Sequence, residues 1–184
     1  MVLLEIVVFQ FWQAIYMRVL CVAEKPSIAK AISQILSGGQ FTTVSLVQIL
    51  VLLCLTMCCV IQRATTNKYI KNYDFDYPQT NSSYIVTCVS GHLTAHDFYD
   101  THRKWGSCDP FELFDAPVET QISKDAKGIE KNLINEARNS NMLMIWTDCD
   151  REGEHIGSEV VRVCRKANRR ITVKRARFSA IIAQ

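Results

Sequence analysis

The 184 residues contain no CxxC pair, no acidic residue between 162 and 177, and no charged residue between 44 and 62. The first absence matters because eight cysteines in a short chain would otherwise suggest a disulfide framework or a zinc site. Instead they are scattered, and Cys21, Cys88 and Cys164 sit inside apolar runs, which fits reduced core thiols in an intracellular protein. His92 and His96 lie four apart, the spacing of a metal pair on a helix, but no third ligand follows at recognisable spacing, so zinc is not expected.

The second absence leaves a basic tail: Arg162, Arg165, Lys166, Arg169, Arg170, Lys174, Arg175 and Arg177 follow one another without an acid among them. The stretch reads equally as a phosphate-facing patch or as a solvated face. A net charge of +3 and a pI near 8.4 are compatible with a nucleic-acid partner without demanding one. The length allows one domain with a proper core and is too short for a large multidomain enzyme.

What is present is an alternation of strands and helices. The apolar run 19–23 (VLCVA) ends at Glu24-Lys25-Pro26-Ser27, where Pro26 and Ser27 suit a helix start. Ile28, Ile32, Ile35 and Leu36 then recur at helical spacing until Gly38-Gly39 stops them. A second strand is expected at 83–89, a helix around Ile129, Leu133 and Ala137, and a strand from Met142 to Trp146. A helix carrying Ile156, Val160, Val161 and Cys164 and a last strand at 171–173 complete the series. The pattern predicts an α/β fold, a mainly parallel, Rossmann-like sheet flanked by helices.

In such sheets ligands sit beyond the carboxyl ends of the strands, which puts Glu24 and the run TDCDREGE (147–154) on one edge. Four carboxylates packed into that run repel one another, and at the end of a buried strand a bound cation explains them better than a solvated loop. Clustered oxygen ligands without soft partners favour magnesium, with manganese as the substitute. Gly153 lets the backbone turn into the next helix, whose N-terminal dipole tolerates Glu152 and Glu154, so Glu154 reads equally as a helix-capping acid.

Glu24-Lys25-Pro26-Ser27, Ser90-Gly91-His92-Leu93, Arg103-Lys104-Trp105, Asp148 to Glu154 and Arg175-Ala176-Arg177-Phe178-Ser179 occur in that order. The set resembles the Toprim domain of type IA DNA topoisomerases, in particular the eukaryotic topoisomerase III branch, over residues 18–43 and 63–182. Primases and related nucleases share the Glu and DxD elements, while SGH and RKW point to the topoisomerases. The resemblance implies an enzyme that cuts one DNA strand through a tyrosyl phosphodiester, passes another strand and reseals. It assigns Glu24 as acid and base, Lys25 as phosphate-steadying group, and Asp148, Asp150 and Glu152 as magnesium ligands. Arg151, His92, Arg175 and Arg177 become DNA-binding residues. Single-stranded DNA, a RecQ-type helicase and an OB-fold cofactor protein are the implied partners, in the nucleus with a mitochondrial form open, and recombination and repair are the implied processes. His155 stands where the family usually has asparagine. None of Tyr16, Tyr69, Tyr73, Tyr77, Tyr84 or Tyr99 sits in the family's nucleophilic motif, which lies on a separate, downstream domain, so these residues alone are expected not to break DNA. The competing readings are a free-standing Toprim nuclease or primase-like protein, using water as nucleophile, and a non-catalytic, membrane-tethered fragment.

Two segments depart from that frame. Residues 44–62 form an uncharged run of bilayer-spanning length, interrupting a connection that should be short and polar. Joining Thr43 to Arg63 restores a polar link resembling the family's. Valine codons begin GT and glutamine can be CAG, so a translated intron is favoured over a membrane helix. Residues 1–17 lack a basic n-region and carry Glu5, a poor signal peptide, and no arginine precedes Arg18 as a mitochondrial presequence would require. They are expected to be a non-native N-terminal extension, with 18–184 as the Toprim domain interrupted by the apolar insertion at 44–62.

Overall fold

The computed structural model describes residues 17–38 and 60–178. Of the expected N-terminal extension, residues 1–16 lie outside the described residues, as do residues 39–59 with most of the apolar segment, while Met17 opens a strand and pairs with Ser82. Among the described residues no helix is long and apolar enough to cross a membrane. The last residues of the segment are described: Val60 is fully buried, and Ile61 and Gln62 open the edge strand Ile61–Ala64.

Eight strands are described: β1 Met17–Ala23, β2 Ile61–Ala64, β3 Lys71–Tyr77, β4 Ser82–Cys88, β5 Thr94–Phe98, β6 Val118–Ile122, β7 Met142–Trp146 and β8 Thr172–Arg175. The helices are α1 Pro26–Leu36, α2 Asp100–Arg103, α3 Lys127–Arg138 and α4 Arg151–Ala167. Six strands form one sheet in the order β2-β3-β4-β1-β7-β8, and β5 pairs with β6 in a separate ribbon. Strands β4, β1, β7 and β8 run parallel, while β3 and β2 add an antiparallel edge. The expected parallel sheet is there, extended by an antiparallel pair that the charged residues of β3 (KNYDFDY) concealed.

Strand β1 is central because it can be. Val19 to Ala23 are all fully buried, as a strand with neighbours on both edges and layers on both faces requires. Its register against β7 pairs Ala23 with Trp146, so Glu24 and Thr147 leave the sheet side by side. Pro26 occupies the first turn of α1, where its missing N–H costs nothing, and Ala29 and Ile32 bury the helix against the sheet. Ile35, counted in the apolar stripe, is largely exposed.

A buried polar network fastens α3 to the antiparallel side of the sheet. Asn72 and Asn132 exchange reciprocal amide hydrogen bonds at 3.0 Å, and Asn132 also donates to Thr87 at 3.2 Å. Glu136 accepts from Asn72 at 3.1 Å, from Arg63 at 3.0 Å and from Arg18 at 3.1 Å. The side-chain amides of Asn72 and Asn132 and the carboxylate of Glu136 all find partners, the condition under which such a network specifies one packing; the buried Nε of Arg18 has none.

Candidate functional site

The parallel register delivers Glu24 and Asp148 to adjacent strand ends. Glu24 is buried and its Oε2 accepts the backbone N–H of Asp148 at 3.1 Å, joining the exits of β1 and β7. Lys25 places its Nζ 3.5 Å from Glu24 Oε1 and 3.7 Å from Asp148 Oδ2. The charge of Glu24, and then that of Asp148, holds the exposed ammonium above its ordinary pKa. Lys25 thus supplies positive charge between two carboxylates that would otherwise repel.

The acidic run closes onto the start of α4. Asp150 is the N-cap, its Oδ1 accepting from Gly153 N at 2.6 Å, and Thr147 Oγ1 donates to Gly153 O at 2.7 Å. A Cβ at Gly153 would lie 2.0 Å from the carbonyl oxygen of Asp148, so only glycine permits the loop to fold this tightly. Arg175, at the end of β8, clamps it from outside. Its guanidinium donates to Thr147 O and Asp148 O, each at 2.7 Å, and to Glu154 Oε1 at 2.8 Å. Glu154 is therefore an ion-pair partner of Arg175 as well as a first-turn acid. Arg177 is exposed and lines a groove with Cys149, Glu154, Arg175 and Phe178; Arg151 is exposed at the first turn of α4.

The geometry brings Glu24, Lys25, Asp148 and Asp150 to one sheet edge, but not every carboxylate to metal-ligand distance. Among the described residues, two groups of three donors come within 4.8 Å of one another, His92–His155–Glu159 and His102–Cys108–Glu112. Asp148, Asp150 and Glu152 do not form such a group. Each has a local cation or donor instead: Lys25 for Asp148, the Gly153 N–H for Asp150, and His92 Nε2, 3.9 Å away, for Glu152. The donor set nevertheless fits a hard divalent cation, since it is all oxygen and Lys25 already sits where positive charge is needed.

His92 and His96 are not a helical pair. His92 follows the tight turn at Gly91, whose φ is +84°, and His96 lies on β5, where its Nδ1 meets Thr120 Oγ1 at 3.1 Å. The partner of His92 is His155, with ring centroids 5.0 Å apart. Both face Glu159, which sequence reasoning missed because it lies among the apolar positions of α4. The only sequence signal was an acid on the buried stripe. Arg103 is held by Asp97 at 2.9 Å and Asp100 at 3.0 Å, leaving Trp105 of the RKW element almost fully exposed.

Comparison with known proteins bears on this arrangement. Residues 19–181 match the Toprim domain family. The chain is 43% identical over 166 residues to a DNA topoisomerase 3-alpha of Arabidopsis thaliana, covering 89% of this chain and 16% of that protein. It is 44% identical over 167 residues to a DNA topoisomerase 3 of Schizosaccharomyces pombe, covering 89% and 24%. With the human DNA topoisomerase 3-alpha the identity is 42% over 166 residues, covering 89% and 15%. The chain thus spans under a quarter of the length of these three relatives. The match over nearly all of the described sheet, together with Glu24 and the DxD run at neighbouring strand ends, establishes that this chain belongs to the Toprim domain family.

Proposed function

We propose that the chain is the Toprim portion of a type IA DNA topoisomerase of the topoisomerase III kind, contributing the acidic half of a site that cuts and reseals one DNA strand. The observation that carries this reading is the joined exit of β1 and β7, where Glu24 and Lys25 meet Asp148. The named activity of the relatives supports it.

Glu24 would exchange a proton with the departing or attacking 3′ oxygen, a role its burial and fixed direction at the strand end support. Lys25, whose ammonium is exposed between two acids, swings to the scissile phosphate once DNA competes for it. Asp148, Asp150 and Glu152 would hold magnesium, with manganese as substitute, which supplies charge neutralisation at the phosphate. Coordination asks Asp148 and Glu152 to exchange Lys25 and His92 for the ion, and Asp150 can keep its cap bond through one oxygen and offer the other. Arg151, Arg177 and His92 would take backbone phosphates of single-stranded DNA, which their exposure supports. Arg175 acts mainly by fixing the Asp148 loop through its two carbonyl contacts. The processes are DNA recombination and repair in the nucleus, with a RecQ-type helicase and an OB-fold cofactor protein as partners.

The test uses a polypeptide carrying these 184 residues followed by the relatives' tyrosine-bearing domain. It should relax negatively supercoiled plasmid and form a covalent adduct with single-stranded DNA, and Glu24→Gln or Lys25→Ala should remove most of both. Full activity in both variants would refute the assignment. Magnesium-dependent cutting by the 184 residues alone, abolished by Asp148→Ala, would instead mark a water-using nuclease.

A further inference from the structure

Glu159 poses a problem that the DNA-cleaving site does not solve. It is a carboxylate in the middle of α4, 1% exposed, on the stripe that also carries the buried Ile156, Val160 and Val163. Its Oε2 accepts the backbone N–H of Leu93 at 2.8 Å, and its Oε1 accepts the hydroxyl of Thr94. Burial pushes its pKa up, but the bonds from Thr94 and Leu93 and the nearby His92 more than offset this, leaving it below the ordinary carboxylate value. A buried anion is thus held on neutral donors, and what faces it is a pair of imidazoles.

Those imidazoles come from two elements. His92 leaves the turn after β4 and puts Nδ1 3.5 Å from Glu159 Oε1. His155 stands one helical turn before Glu159 on α4 and puts Nε2 3.7 Å from the same oxygen. The two rings meet edge to face, 5.0 Å between centroids and 61° between planes. One donor atom from each of the three residues lies within 4.8 Å of the others. For a tetrahedral ion with metal–ligand bonds of about 2.0–2.1 Å, donors stand roughly 3.3 Å apart; the two separations to Glu159, 3.5 and 3.7 Å, need to close by a few tenths of an ångström, and the two imidazole donors lie within 4.8 Å of each other.

We propose that His92, His155 and Glu159 form a site for a borderline transition-metal ion of the zinc class, distinct from the neighbouring all-oxygen set Asp148, Asp150 and Glu152. The chemistry of the donors selects the ion: two imidazole nitrogens and one carboxylate suit zinc, cobalt or nickel and not magnesium. The carboxylate already has its outer partners in Leu93 N and Thr94. Nε2 of His92 lies 3.9 Å from the exposed Glu152 Oε1, beyond hydrogen-bond distance, so the ring is not held by that carboxylate. His92 and His155 remain about half exposed, so an ion has a path in, and three protein ligands leave one coordination position open to solvent. The site does not rest on the topoisomerase reading; it stands on this cluster alone.

Cobalt(II) is the probe, because its visible absorption is intense in four- and five-coordinate nitrogen and oxygen sites and weak in six-coordinate oxygen sites. Titrating the 184-residue chain should develop an intense band saturating at one equivalent, removed by added zinc and unaffected by a large excess of magnesium. His155→Asn lies on an exposed helix position and should fold as the parent does by circular dichroism, yet weaken cobalt binding at least about tenfold. His92→Asn should do the same. Asp148→Ala with Asp150→Ala should leave the band intact, and so should Cys108→Ser, which removes the thiol of the other donor cluster. Absence of the band in the parent chain, or its full retention in His155→Asn, overturns the proposal. A band lost only with Cys108→Ser, accompanied by thiolate charge transfer in the near ultraviolet, overturns it in favour of His102–Cys108–Glu112.

Discussion

Glu24 and Asp148 are 124 residues apart in sequence and joined in space by a single bond, from the backbone N–H of Asp148 to Oε2 of Glu24 at 3.1 Å. The contact exists because β1 and β7 are parallel neighbours whose last residues, Ala23 and Trp146, stand in register. A carboxylate that accepts a backbone donor at a strand end is fixed in direction. Lys25 then balances its charge without burying a second group. The site is therefore preorganised by the sheet, and the loop that follows Asp148 is held to it by Gly153 and Arg175.

Gly153 is the tightest point of that loop. Gly153→Ala would set a methyl group 2.0 Å from the Asp148 carbonyl oxygen, which forces the loop and the first turn of α4 apart. The expected cost is about 1–3 kcal/mol in urea unfolding, with a displaced Asp148 amide resonance in the folded protein. An unchanged unfolding midpoint would show that the loop accommodates the methyl group.

The network at Glu136 offers a test of how α3 is fastened. Glu136→Ala leaves Asn72 short of an acceptor and two guanidinium groups without their common partner. Because Arg18 and Arg63 are partly solvated, the loss should be moderate, roughly 2 kcal/mol. Chemical denaturation of the variant measures it, and a loss below about 0.5 kcal/mol, the lower end for a single hydrogen bond, would mean that water replaces the carboxylate.

Much of this fold was legible. Strands β1, β4 and β7 are apolar runs because they are buried on both faces, and the helices between them keep a clear period. The antiparallel additions were not legible, for a physical reason. Strand β3 carries Lys71, Asp74 and Asp76 on its more exposed positions, and β5 and β6 form a largely exposed ribbon with no apolar run to mark it. In the site, Glu24 and the DxD run could be placed together once a parallel sheet was assumed. The bonds that decide each side chain's role could not. Arg175 reads as a phosphate ligand in sequence and is a clamp on two carbonyls in space. His92 finds its partner 63 residues away at His155, a pairing without a local signature.

The cysteines give a prediction with a definite sign. Burial pushes the thiols of Cys21, Cys88 and Cys164 up to about 12, from an ordinary value of 9.0. Folded-state pKa values above the unfolded ones stabilise fully below pH 9.0 and lose that contribution as pH rises from 9.0 towards about 12. Stability should fall in that window by up to about 1.4 kcal/mol per pH unit per thiol. At pH 8 a thiol reagent should label the exposed Cys149 well before these three. Alkaline unfolding that is unchanged when the three are replaced by alanine would contradict it.

The apolar segment can be tested by removal. Joining Thr43 to Arg63 would bring Phe41-Thr42-Thr43 to the places of Val60-Ile61-Gln62, with Phe41 at the buried position of Val60 and threonines at the two edge-strand positions that follow. A β-edge accepts such residues, since it pairs on one side alone. The shortened chain should melt at or above the temperature of the parent, and messenger RNA across codons 43–63 should show the direct junction. A lower melting temperature together with transcripts that all retain the segment would establish it as an integral part of the fold.

The central claim is that the joined strand ends carry a divalent-cation site of oxygen ligands. Calorimetric titration of the 184-residue chain with magnesium, in parallel with the Asp148→Ala plus Asp150→Ala double variant, measures it directly. The account predicts weak binding, because magnesium keeps several waters and takes substrate phosphate as a ligand, and an affinity at least about tenfold lower in the double variant. Equal affinity in both proteins would contradict it.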